Sequence, residues 1–249
     1  MLFGFYGGVN FSYPGIIKSF DILSHAGDAI PGAKSYNNIL KNRGFQVGAI
    51  GYLKLNEHLA LSCWPGFASY NFYYSIFNNW ADSISLQNSA YSFTNRYRSI
   101  NLPVEFSWIF NPDDKLNYFV SAGIKYEFIF GSSKKLDYFE EMIENNTVTG
   151  VYRETFKSDE NRLFVRNHFQ VQAGTGISYN FPRFTLLAEI NFLKGLNNIT
   201  RKSGRMADPG NIYTFPDIQD DLFMNNITIN IALLYKLFKA PKKLKCVTP

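Results

Sequence analysis

The most constraining feature of this chain is a period-two alternation of apolar and polar residues that recurs in eight segments. Successive side chains of a strand point to opposite faces, so each segment specifies a strand with one apolar and one polar side. In the first, Phe3, Phe5, Val9 and Phe11 oppose Gly4, Tyr6, Gly8, Asn10 and Ser12. The second sets Phe45, Val47, Ala49, Leu53 and Leu55 against Gln46, Gly48, Tyr52 and Lys54. The third runs from about His58 to Tyr74, and the fourth sets Leu102, Val104, Phe106, Trp108 and Phe110 against Asn101, Glu105 and Ser107. The fifth, Tyr118 to Phe130, is the most regular. The sixth centres on Phe169, Val171, Ala173 and Ile177, the seventh on Phe184, Leu186, Ala188 and Ile190, and the eighth on Ile227, Ile229, Ile231 and Leu233.

The connections alternate strictly in length. Three are tight, at 54–58, 111–115 and 180–183; four are long and polar, at about 14–42, 75–97, 131–162 and 196–223. Long structureless loops are uncommon in compact soluble domains. They are expected in an outer-membrane barrel, where short turns face the periplasm and long loops face outward. The expected fold is therefore all-β: an eight-stranded antiparallel transmembrane β-barrel over residues 1–238. Both termini would be periplasmic, with a basic tail over 239–249.

Composition agrees with this reading. The 249 residues include 24 Phe, 16 Tyr and 3 Trp, yet mean hydropathy is only -0.16 and charged residues make up 18%. Apolar residues placed one in two along strands reconcile those figures. No run of about 18 apolar residues suggests a transmembrane helix, and two cysteines, Cys63 and Cys246, exclude a disulfide scaffold. The net charge of +5 owes much to Lys236, Lys239, Lys242, Lys243 and Lys245, so a nucleic-acid partner is not expected. Met1-Leu2-Phe3-Gly4 opens directly into a strand pattern, so a leader is expected to have been removed, or the protein is not exported.

A soluble lipocalin-like barrel also has eight strands, with its apolar face lining a ligand cavity. Two features weigh against it. The polar faces are rich in Gly, Ser, Asn and Gln, which suits a crowded lumen. Aromatics such as Phe3, Phe45, Phe110, Tyr118, Tyr179 and Tyr235 gather near strand ends, as in membrane-interface girdles.

Several stretches in order resemble the PorT/SprT-like family of outer-membrane barrels of Bacteroidota. They are Gly4-Phe5-Tyr6-Gly7-Gly8-Val9-Asn10, Gly44-Phe45-Gln46-Val47-Gly48, Leu53 to Leu61, Trp64-Pro65-Gly66-Phe67, Ile100-Asn101-Leu102-Pro103-Val104, Tyr118 to Gly123, Gly174-Thr175-Gly176-Ile177, and Lys194 to Asn198. Val104-Glu105-Phe106-Ser107-Trp108 departs from the family, whose fourth strand continues with more aliphatic residues. The resemblance implies a non-enzymatic outer-membrane component of the type IX secretion system, which exports proteins and supports gliding motility.

The candidate site residues are the lumen-facing charges Glu105, Lys125, Glu127, His168, Arg183 and Glu189. They read either as a gate or as a structural salt-bridge network filling a narrow lumen. In the third loop, Leu136, Tyr138, Phe139 and Met142 lie beside Glu140, Glu141 and Glu144, reading as a short amphipathic helix or an extended hairpin. With Tyr213 and Phe215 of the fourth loop, these residues are candidates for docking a protein partner. No catalytic triad, phosphate loop or metal-ligand spacing is present; His25, His58 and His168 are scattered. No cofactor, metal or small-molecule substrate is expected, and the expected partners are outer-membrane lipids and proteins of a secretion or motility complex.

Overall fold

Eleven strands of a single antiparallel sheet make up the computed structural model, which describes residues 1–20, 34–36, 42–81, 85–144, 147–158, 163–204 and 218–236. The strands are β1 (Leu2–Lys18), β2 (Lys34–Ser35), β3 (Arg43–Lys54), β4 (Leu59–Cys63), β5 (Gly66–Ala81), β6 (Ser85–Ile109), β7 (Leu116–Glu144), β8 (Thr147–Ser158), β9 (Asn167–Asn180), β10 (Phe184–Gly195) and β11 (Asp221–Lys236). β4 and β5 are two halves of one interrupted staff, since both pair with β3 and with β6. β1 pairs with β11, and β7 with both β6 and β9, which closes a ring of eight. β2 and β8 are additions to β5 and β7 on one side of the ring.

The register fixes the shape. Starting at Arg43, cross-strand partners run Phe11, Ile227, Phe192, Ala173, Ala122, Phe106, Leu61 and back to Leu53 on the starting strand. The walk returns ten residues from its origin (43 to 53), which is the stagger of the closed barrel. Eight strands with that stagger tilt by roughly 40° and leave an interior just wide enough for side chains to fill.

The interruption of the β4–β5 staff has a local cause. Pro65 and Pro103 lie at the same break and bring no N–H to the ladder. The backbone re-forms around them: Trp64 N donates to Pro103 O (3.0 Å) and Ala49 N to Pro65 O (2.9 Å).

The tight connections 54–58, 111–115 and 180–183 all lie at one end, beside the N-terminus and Lys236, because Leu2 pairs with both Tyr52 and Lys236. At the other end the structure corrects two expected loops. Residues 75–97 and 131–162 are largely strand: β5 and β6 stay paired from Gly66↔Asn101 to Ala81↔Leu86, and β7 pairs with β8 from Lys134↔Ser158 to Glu144↔Thr147. The amphipathic-helix alternative for the third loop is thereby replaced by an extended hairpin. The tail 239–249 and the fourth-loop residues Tyr213 and Phe215 lie outside the described residues.

Among the described residues, the outer wall between the two ends is apolar apart from exposed Lys194 on β10, which sits opposite Val171 toward the long-hairpin end. Phe5, Val9, Phe45, Val47, Leu102, Phe106, Val120, Ile124, Val171, Ile190 and Ile231 all point outward and are exposed. The ten-residue run from Arg43 to Leu53, tilted as above, rises about 25 Å, the height of an apolar transmembrane band. At mid-height the inward residues of the same strands are polar and buried, including Asn10, Gln46, Asn191, Thr228 and Asn230. This polarity overturns the lipocalin-like alternative, whose apolar face would line the interior.

Candidate functional site

The lumen is filled in three layers. At the turn end an apolar cluster contains Tyr6, Ile50, Tyr52, Trp64, Phe119 and Leu234. Phe119 lies across Gly176, its register partner, with Cε1 2.8 Å from where a Cβ would stand, so the glycine gives the ring its place. Tyr6 and Trp64 meet edge to face at 5.1 Å, and the Tyr6 hydroxyl donates to Trp64 O (3.2 Å).

Above it lies the charged layer, where the strand pleat turns every second residue of β6, β7, β9 and β10 inward. Five of the six expected charges are buried here: Glu105, Lys125, Glu127, His168 and Glu189. Lys125 Nζ is 2.7 Å from Glu127 Oε1, and His168 Nδ1 is 3.0 Å from Glu127 Oε2, so one carboxylate bridges two basic groups. Lys125 Nζ also donates to the Tyr70 hydroxyl at 2.5 Å. Glu105 accepts from Gln172 Nε2 (2.5 Å), and Glu189 accepts from Ser121 Oγ (2.6 Å). Burying these charges is costly, and the pairing limits that cost.

Arg183, the sixth, is placed elsewhere. It is exposed in the tight turn between β9 and β10, where its carbonyl accepts from Lys236 N. It precedes Phe184, the first residue of β10, so the inward alternation has not yet begun at Arg183. Sequence reasoning missed Tyr70, whose hydroxyl reaches the charged layer from the aromatic cluster above it. Gln172 was visible as part of the polar face of its strand, but nothing in the sequence marked it as the partner of Glu105.

The third layer is an aromatic cluster inside the projecting hairpins: Tyr70, Phe72, Tyr74, Tyr97 and Phe164, with Leu136. Cross-strand partners stack, Tyr70 on Tyr97 at 4.9 Å and Tyr74 on Phe93 at 4.8 Å. Of the expected docking residues, Leu136 is buried in this cluster, which removes it from the surface. Tyr138 is half-buried and stacks on Tyr91 at 4.9 Å. Phe139 faces the opposite side of β7 with the Arg153 guanidinium 5.2 Å over its ring, and Met142 is exposed near the hairpin tip.

Fully buried Asp220 clasps the outer ends of the chain, accepting from Phe20 N (2.8 Å), Lys34 Nζ (3.0 Å) and the Tyr36 hydroxyl (2.6 Å). On the outside of the β7–β8 hairpin, Asp137 accepts from Lys135 Nζ (2.8 Å) and Thr155 Oγ1 (2.7 Å). Desolvation pushes the Asp137 carboxyl up, but these hydrogen bonds and the neighbouring lysine charges outweigh it and hold the group below the usual carboxylate range.

A closed antiparallel ring of eight strands with an apolar exterior and a packed interior holding a buried charged layer defines a small transmembrane β-barrel. Residues 1–201 match the family described as outer membrane protein beta-barrel domain. The chain belongs to that family and is an outer-membrane β-barrel protein. No curated protein matches it. Among solved structures, it is similar to the attachment invasion locus protein Ail of Yersinia pestis, at 10% identity over 94% of this chain and 97% of that one, with a TM-score of 0.30. It is also similar to a FadL homologue of Pseudomonas aeruginosa, at 6% identity over 95% and 90% of the two chains, with a TM-score of 0.25. The translocator domain of the autotransporter NalP from Neisseria meningitidis gives 11% identity, 94% and 88% coverage, and a TM-score of 0.25.

Proposed function

We propose that this protein is a non-enzymatic accessory or scaffold subunit of a protein-secretion machine in the outer membrane, of the type IX kind. The observation that carries this reading is the filled lumen. Between its two apolar clusters is a cavity of about 10 Å3 lined by Tyr6, Gln46, Glu105, Lys125, Gln172 and Asn230. That is room for roughly one water molecule, far too little for a solute or a polypeptide. The buried Lys125–Glu127–His168 group then serves to fill and rigidify the interior, and the barrel acts through its two ends.

In this reading the tight turns and both termini face the periplasm, and the paired hairpins project outside the cell, as in other barrels with unequal connections. Exposed Met142, Val148 and Val151 near the β7–β8 tip, with Phe139 and Arg153, supply apolar and cationic contacts for a protein partner. The secretion role is drawn from the PorT/SprT-like stretches. A second reading, a surface-display barrel with an adhesive or structural role, is favoured by the length of the projecting sheet.

A photo-crosslinking residue at Met142 or Phe139 in the native membrane tests the proposal. Capture of a translocon or motor component, together with loss of cargo export on deletion, is the expected result. Normal export after deletion would refute the secretion role. A steady conductance in planar bilayers would refute the filled-lumen basis for it.

A further inference from the structure

We propose that Arg43, Arg96 and Arg98 form a binding patch for the phosphate-bearing headgroup of a membrane lipid at the long-hairpin end of the barrel. With the orientation proposed above, that lipid belongs to the outer leaflet.

The three arginines are exposed and face outward, Arg43 from β3 and Arg96 and Arg98 from β6, with β5 between them. Asn71 joins two of them: its Nδ2 donates to Arg43 O, and its Oδ1 accepts from Arg96 Nε at 2.9 Å. Arg98 lies one outward step closer to the apolar band, across from Ser69. Neither Arg96 nor Arg98 forms an ion pair with any described residue.

Directly beneath the patch the wall turns aromatic. Phe45, one outward step below Arg43, meets Phe67 at 5.9 Å, and Phe67 meets Phe130 at 6.0 Å. Below these rings the wall on this side of the barrel is lined by Val47, Leu102 and Val120. A cationic cluster seated on an aromatic ledge at the top of an apolar wall matches an amphiphile whose acyl chains lie along the wall and whose anionic head sits above it. Guanidinium groups suit phosphate oxygens because their planar forks bind them bidentately. The turns of the opposite rim mix both signs more closely, with Lys54, Lys115, Arg183 and Lys236 beside Glu57, Asp113 and Asp114.

The test uses the full chain folded in detergent micelles. It is titrated in parallel with a phosphorylated acylated disaccharide lipid, with the same lipid dephosphorylated, and with inorganic phosphate, and bound species are read by native mass spectrometry. The phosphorylated lipid is expected to bind about tenfold more tightly than the dephosphorylated one, and R43Q/R96Q/R98Q to lose about that factor. R96K/R98K, which keeps the charge, should lose less than the triple variant. Heat-dependent gel migration shows which variants are folded; if the triple variant is not, R98Q alone is expected to lose two- to threefold.

Equal binding of the two lipids, or undiminished binding by the folded variants, would overturn the proposal. Displacement by equimolar inorganic phosphate would reassign the patch to free anions and overturn the lipid assignment. Release of a protein rather than a lipid from native membranes on substitution would overturn it as well. None of these readouts depends on a secretion partner, so the patch and the secretion role stand or fall separately.

Discussion

The barrel wall and the projecting hairpins are built from the same continuous strands, yet their inside and outside are reversed. Along β5, the wall shows outward Phe67, while a few residues on the inward positions are Tyr70, Phe72 and Tyr74. The wall hides polar groups and displays apolar ones; the hairpins hide aromatics and present Asn71, Arg96, Asp137 and Thr155 outside. The reversal tracks the solvent. Lipid accepts an apolar face, whereas a sheet standing in water has to bury one. One strand thus spans two environments by changing which of its alternate residues are apolar.

The sharpest break in this comparison removes a buried charge from the wall interior. Lys125→Met leaves Glu127 without its closest cation and is expected to cost about 3–5 kcal/mol in urea unfolding from micelles. Lys125→Met/Glu127→Gln should recover much of that loss, because the orphaned charge goes with it. A recovery no better than the single variant would show that the pair is not energetically coupled.

In the hairpins the corresponding core change is Phe72→Ala, also about 3–5 kcal/mol by truncation of a fully buried ring. Its signature differs: hydrogen-exchange protection should fall in the outer parts of β5 and β6 while the wall retains its protection. Uniform loss across both regions would mean that wall and hairpins unfold as one unit.

An outward lysine separates the two exteriors directly. Ile124→Lys, in the band, is expected to destabilise by about 2–4 kcal/mol at mid-depth. Val151→Lys, on β8, should stay within about 0.5 kcal/mol. Equal costs at the two positions would erase the boundary drawn here.

The smallest effect is a pH response of the β7–β8 hairpin. Asp137 has its carboxyl held below the unfolded value, so its contribution is present above the ordinary carboxylate pKa and is lost as pH falls through the depressed one. The protection of the β8 amides, taken relative to their intrinsic exchange rates, should therefore fall on acidification below about pH 4, and Asp137→Asn should remove that dependence.

The eight staves were legible because alternation is a local property of each segment. The charged layer was legible too, since Glu105, Lys125, Glu127, His168 and Glu189 fall in phase with the polar face of their strands. The projecting sheet was not, for a definite reason: from Tyr70 onward the apolar residues fall on the inward face instead of the outward one, so the pattern that marks the wall does not continue past Tyr74, the end of the third segment. Arg183 was misplaced by one position, at a turn where pleat parity has no meaning. The partners within the lumen, such as Gln172 for Glu105, depend on the stagger of the closed ring, which no single segment encodes.

The pairing of β1 with β11 has a kinetic meaning. It joins residues more than 200 positions apart, so no part of that seam is held by local contacts. Every other neighbouring pair in the ring can form as a hairpin or a short-range addition, which leaves the seam as the natural last step of closure. Asp220, just before β11, then works as a latch. By gripping Phe20, Lys34 and Tyr36 it ties the end of β1 to the start of β11 from outside, in a position to slow the reopening of the one joint that topology makes costly to form.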